Sequence, residues 1–239
     1  MCPIDLLYDF GREIARGLLM VSHNREKDLF GREDIMPIFK YGQGEIDHLK
    51  SKDKKLGAAI EKIGRIEREI TPDVFSALVQ SIISQQISAK AAQTVSVKMR
   101  ALMNGVLTPE GIMQAGAGAI KECGLSNRKA GYITGIAEAA LAGTVDFGTL
   151  HVLTDEEIIS KLTALKGVGV WTAEMLLIFS LCRPNVISYG DLAIRRGMMN
   201  LYGLRELSKD KFEKYRRRYS PYGSVASLYL WALANNDKS

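Results

Sequence analysis

Along most of the chain, apolar positions recur at the 3.6-residue period of an amphipathic helix and not at the two-residue alternation of a strand. VFSALVQSII (74–83) and YITGIAEAAL (132–141) both carry it. Ile4, Leu7, Phe10, Ile14 and Leu18 do the same near the N-terminus, which predicts an amphipathic helix over residues 1–20. The polar stretch SHNREKD (22–28) then reads as a linker, and Met36 opens a segment that looks like a natural start. Residues 1–35 are therefore expected to be an extension, and 36–239 the main domain.

Punctuation between the periodic runs is that of consecutive helices. Thr71-Pro72, Thr108-Pro109 and Ser220-Pro221 each set a hydroxyl residue before proline, the order of an N-cap followed by the first helical position. Thr154 with Glu157 makes a capping box, and Gly105, Gly124, Gly143 and Gly203 stand where helices should stop. Only 185–189 reads as a short strand. The expectation is an all-α protein of roughly ten helices with short loops.

Charge and composition narrow the function classes a little. The net charge of +5 permits a polyanionic partner without requiring one. Cys2, Cys123 and Cys182 share no metal-ligand spacing, and His23, His48 and His151 form no HExxH or HxxxH arrangement. No zinc or iron-sulfur site and no disulfide framework is expected, and a reducing cytoplasm fits best. The longest apolar run, Met175 to Phe179, is far short of the roughly 20 residues of a membrane span. Asp5, Asp9, Arg12 and Glu13 interrupt the apolar positions a signal peptide would need.

The stretch LKGVGVWTAEMLLIF (165–179) raises the sharpest question, because glycine costs about 1 kcal/mol relative to alanine inside a helix. A helix from about Thr154 to Leu165, a turn over 166–170 and a helix from Trp171 make a helix, a glycine hairpin and a second helix. Glycines at 167 and 169 permit φ > 0, remove side chains and leave backbone N–H groups open at a helix start, a place suited to a phosphate. A plain αα-hairpin would use the same residues. Further on, in SYGDLAIRRGMM, Asp191 is the natural N-cap of a helix running to about Tyr202, where dipole and free N–H groups favour a carboxylate.

Taken together, these motifs resemble the helix-hairpin-helix DNA glycosylases, which carry an LxGVGxxTA hairpin followed by an Asp. The resemblance covers about Glu45 to Asn235 and includes SIISQQISAKAA (81–92), CGLSNRKAGYI (123–133), the hairpin, GDLAIRRG (190–197) and SPYGSVASLYLW (220–231). Their combination is most similar to the alkylpurine, 3-methyladenine DNA glycosylase II type. It implies two helical subdomains flanking a DNA-binding cleft.

The resemblance also implies roles. Bifunctional relatives carry a nucleophilic lysine where this chain has Trp171, so a monofunctional hydrolase without lyase activity is expected. The C-terminal iron-sulfur cysteines of other branches are missing. Asp191 would be the catalytic carboxylate, stabilising an oxocarbenium-like sugar and orienting water. Trp171, Trp231, Tyr222 and Met175 would line the base pocket, where tryptophan suits a cationic alkylpurine. Gln86, with Gln85 beside it, would fill the space left by a flipped base. Phosphate contacts would come from the backbone at Gly167, Val168 and Gly169 and from Ser88 and Lys90. The carbonyls of Thr163, Leu165 and Val168 would hold Na⁺ or K⁺, with no cofactor required for the chemistry. Relatives often carry arginine where this chain has Gly223.

The implied partner is double-stranded DNA containing alkylated bases, met by a monomer in the cytoplasm, at the nucleoid if the source is bacterial. Three readings compete: a non-catalytic damaged-DNA-binding module, a monofunctional glycosylase for another lesion, and a purely structural helical protein. Arg195, Arg196 and the basic run Lys209 to Tyr219 are further candidates for DNA contact, although charge runs on helices are usually solvated faces.

Overall fold

The computed structural model describes residues 37–234, so the helix and linker expected before Met36 lie outside the described residues. Within them, helices follow one another along the chain: α1 (Gln43–Lys52), α2 (Lys54–Ile63), α3 (Val74–Ser84), α4 (Ala89–Leu102), α5 (Pro109–Glu122), α6 (Asn127–Leu141), α7 (Asp155–Thr163), α8 (Val170–Phe179), α9 (Leu192–Tyr202), α10 (Lys209–Tyr219) and α11 (Gly223–Ala234). One 3₁₀ turn, Leu150–Val152, precedes α7. Extended pairing among the described residues is confined to an isolated antiparallel bridge between Ile38 and Glu69. The protein is all-α, and the described residues fall into two compact units, 71–176 and 37–70 with 177–234.

The first unit is built around α3. Its apolar period buries Phe75, Leu78, Val79, Ile82 and Ile83, each burial worth about 1.5–3 kcal/mol against exposure. This helix packs on α4 and α6, and α5 packs along α6. Hydroxyl caps start the neighbouring helices: Ser88 accepts from Ala91, Thr108 from Gly111 and Ser126 from Lys129.

The second unit is centred on α11, which is apolar on all sides and buried from Gly223 to Trp231. Helix α9 lies against it at Gly197, where a Cβ would overlap the Leu230 carbonyl, so only glycine lets the two backbones approach so closely. Asp53 starts α2 by accepting the Leu56 amide at 3.0 Å. The same carboxylate takes the Tyr202 hydroxyl and, at 3.2 Å, the Arg218 guanidinium, while Tyr202 and Tyr219 share a hydrogen bond at 2.7 Å. Burial raises the Asp53 pKa, but these three donors together outweigh it and hold the carboxyl below its ordinary value.

Several local expectations give way to stronger partners. Thr108-Pro109 does start α5, but α3 is capped by Asp73, whose carboxylate accepts from Phe75 at 3.2 Å, and Thr71-Pro72 precedes it. Ser220 ends α10 instead of starting α11: its hydroxyl accepts from Asn185 at 3.1 Å and its carbonyl meets His48 at 2.9 Å. The segment 185–189 is not a strand. Val186 donates to the Ser224 hydroxyl and accepts from Ser227, both at 3.0 Å, so two serines on α11 do the work of a neighbouring strand. Within the basic run, Arg218 serves Asp53 and Arg216 pairs with Glu213 at 2.8 Å. Lys209, Lys211, Lys214 and Arg217 remain exposed.

Candidate functional site

The hairpin forms because α7 is started and stopped sharply. Thr154 accepts the Glu157 amide at 3.2 Å and gives its own amide to the Glu157 carboxylate at 2.8 Å. The Thr154 amide and, at 3.0 Å, the Thr154 hydroxyl both donate to the Glu157 carboxylate and hold it below its ordinary pKa. The helix ends at Thr163, two residues short of the expected Leu165, as Leu165 turns its amide to Leu162 at 3.1 Å.

Of the two hairpin glycines only Gly167 takes a positive φ, +88°. The Tyr132 ring fills the place where its Cβ would stand. Gly169 has an ordinary φ and open space beside its Cα. Val168 is buried between them, and its amide donates to Leu165 at 3.2 Å, so it does not offer that N–H to a phosphate. Helix α8 starts one residue earlier than expected, at Val170, which is 54% exposed. Its first-turn N–H groups, without intrahelical acceptors, and the positive end of its dipole therefore stand at an exposed tip.

Trp171 and Met175 are four residues apart on α8 and share a face, with Met175 buried and Trp171 half-buried. The turn after α3 belongs to the same unit. There Gln85 is not a free probe: its side-chain amide donates to the Gly167 carbonyl at 3.0 Å. Gln86 is exposed and takes φ +56°. Ser88 caps α4, and Lys90 is exposed in its first turn.

The carbonyls of Thr163 and Val168 accept no backbone hydrogen bond from the described residues, and that of Leu165 accepts only the Val168 amide. Such hard oxygen donors around one turn fit a monovalent cation. Among the described residues no group of three His, Cys, Asp or Glu side chains could hold a metal ion.

In the second unit, Asp191 caps α9 by accepting the Ile194 amide at 2.9 Å, and only 4% of it is exposed. One turn later the Arg195 guanidinium covers the Tyr189 ring at 5.2 Å. On α11, Trp231 meets Phe179 with ring centroids 5.4 Å apart, and the Arg68 guanidinium lies 5.1 Å from the Phe179 centroid. Burial pushes the Arg68 pKa down to about 10, against the pull of Glu69. Tyr222 is half-buried and packs edge-on against His48 at 5.1 Å.

Sequence reasoning missed Arg68, His48, Lys129 and Tyr132 around these groups. Lys129 and Tyr132 stand in the quoted motif CGLSNRKAGYI, which was the available signal; Arg68 and His48 carry no local one. Gly223 is buried, and a Cβ there would come within 2.9 Å of Ile187 and 3.0 Å of Asn185.

The order of turn, hairpin and capped Asp defines a class. Residues 79–221 match the HhH-GPD superfamily of base excision DNA repair proteins, and the chain belongs to that superfamily. It is 32% identical over 191 residues to DNA-3-methyladenine glycosylase 1 of Schizosaccharomyces pombe, covering 77% of this chain and 84% of the relative. A crystal structure of a DNA-3-methyladenine glycosidase from Bacillus halodurans superposes with a TM-score of 0.77 at 37% identity, covering 84% of this chain and 94% of that one. The S. pombe 3-methyladenine DNA glycosylase in complex with abasic DNA gives 0.69 at 31% identity, covering 79% and 95%. No helix among the described residues is long and apolar enough to cross a membrane.

Proposed function

We propose that the protein is a monofunctional DNA glycosylase that hydrolyses the N-glycosidic bond of alkylated purines, such as 3-methyladenine and 7-methylguanine, in double-stranded DNA, as a step of base excision repair. The observation that carries the reading is the buried Asp191 carboxylate at the start of α9, in a chain 37% identical to a 3-methyladenine glycosidase.

Flipping a base out of the stack costs a few kcal/mol, offset by contacts in the pocket and by a plug in the duplex. Gln86 is the plug, and Gln85, tied to Gly167, is its anchor. Trp171 and Met175 on α8, Trp231 on α11 and Tyr222 just before it are the residues the resemblance assigns to receiving the base, and a tryptophan face suits its positive charge. An N-alkylated purine leaves with the glycosidic electron pair and departs neutral, so little general-acid help is needed. Asp191 stabilises the positive charge left on the sugar and orients water, whose oxygen bonds to C1′ and whose proton passes to the carboxylate or to solvent.

The amide of Gly169 and those following it at the tip, with Gly167, Ser88 and Lys90, hold the phosphates without reading sequence. The carbonyls of Thr163, Leu165 and Val168 would hold Na⁺ or K⁺, which would supply positive charge to a DNA phosphate. Trp171 at the position of the lysine nucleophile removes Schiff-base chemistry. The protein acts as a monomer where chromosomal DNA lies, in the cytoplasm at the nucleoid if the source is bacterial.

The test is base release from DNA treated with a methylating agent, with strand cleavage measured separately. Methylpurine release leaving abasic strands intact is the expected result. Tight binding without release would replace the enzyme by a damage-binding module.

A further inference from the structure

The motif CGLSNRKAGYI is carried by the start of α6, and the proposed reaction gives it no task. Ser126 fixes the first turn through the Lys129 amide at 3.3 Å. Lys129 and Tyr132, three residues apart, therefore share a face. The Lys129 ammonium reaches the far end of α3, where it donates to the carbonyl of Ile83 at 2.8 Å and to that of Gln85. A helix end leaves such carbonyls without intrahelical partners and is the negative end of the dipole, so a cation is favoured there on both counts.

Tyr132 turns its ring to the hairpin and fills the space beside Gly167. Gln85 closes the circuit by donating to the Gly167 carbonyl at 3.0 Å. The next residue is Gln86, exposed at φ +56°, a conformation that a non-glycine residue holds only where its surroundings oblige it.

We infer that the first turn of α6 is a brace that sets Gln86 against the hairpin, with Lys129 as its positioning residue. The inference rests on the glycosylase reading, since a plug has a task only where a base is flipped. Lys129 touches neither base nor sugar in this scheme. It acts by holding the turn that presents Gln86, so its loss should weaken the grip on a duplex with a missing base and spare the grip on an undamaged one.

The experiment compares binding of the full chain to a duplex with a tetrahydrofuran abasic site and to the undamaged duplex, with 2-aminopurine beside the site reporting insertion. Lys129→Met should weaken the abasic complex about tenfold, change the undamaged complex less than about twofold, and abolish the fluorescence change. Lys129→Arg, which keeps a cationic donor, should restore both. Gln86→Ala should resemble Lys129→Met, and the double variant should be no worse than the poorer single one. Gln85→Met cuts the link from the hairpin side and should give the same selective loss, which keeps the test open if Lys129→Met does not fold.

Losses that multiply in the double variant, or equal weakening on both duplexes, would overturn the brace. Retention of the wild-type preference by Lys129→Met would do so as well, leaving the glycosylase reading intact. No preference for the abasic duplex in the wild type would overturn that reading and the brace with it.

Discussion

Asp191 accepts the Ile194 amide at 2.9 Å through the same carboxyl group that the proposed reaction requires, so one side chain starts α9 and would also serve the chemistry. The two tasks separate on substitution. Asp191→Asn keeps a good cap, because asparagine caps about as well as aspartate, and should leave the melting temperature nearly unchanged. Release of methylpurines should fall by at least about 100-fold. Asp191→Ala should lose activity and also about 1 kcal/mol of stability. Near-normal release by the asparagine variant would remove Asp191 from the reaction.

The two tryptophans should differ in what they cost. Trp171 is half-buried, so Trp171→Leu should lower kcat/KM for cationic purines about tenfold with little effect on unfolding by urea. Trp231 is buried against Phe179, and Trp231→Leu should reduce both activity and stability, the latter by about 1–3 kcal/mol. Equal stability losses for the two would contradict this division.

Gly223→Arg would place a long cationic side chain at a position this chain has closed. A Cβ there meets Ile187 and Asn185, so the substitution should destabilise by about 1–3 kcal/mol. Urea unfolding decides it, and an unchanged midpoint would mean that the 185–187 segment yields freely.

Acid should act on the second unit through Asp53. Its folded-state pKa lies below that of the unfolded chain, so its contribution to stability is complete above about pH 3.9 and is lost as the pH falls through the lower, folded value. Asp53→Asn should therefore flatten the dependence of stability on pH in that acid range and lower stability near neutrality. A pH profile parallel to the wild type would show that another carboxylate governs it.

The caps, helix stops and hairpin around the candidate site were legible because their signals are local. Caps at Thr108 and Thr154, the glycine stops, the hairpin and the Asp191 cap each lie within a few residues of what they control. Errors arose where a distant partner competed. Ser220 looks like a cap until Asn185, 35 residues earlier, takes its hydroxyl. The 185–189 segment reads as a strand because its centre, Val186 to Ser188, is buried, yet Val186 finds its partners in serines on a helix. Arg218 reads as surface charge although Asp53, 165 residues away, claims it. Gln85 and Gln86 are neighbours of one residue type, and nothing local in the sequence foretells that Gln85 bonds to Gly167, 82 residues on, while Gln86 stays exposed.

The two hairpin glycines answer to different judges. At 167 a methyl group would strike Tyr132 and a side chain would oppose the positive φ, so the fold alone demands glycine. At 169 the space beside the Cα is open. A library of variants sorted only for folded protein should hold glycine at 167 and drift at 169. Sorted for base release, it should hold both, and position 169 would then record the imprint of the phosphate backbone on a surface that does not need it in order to fold.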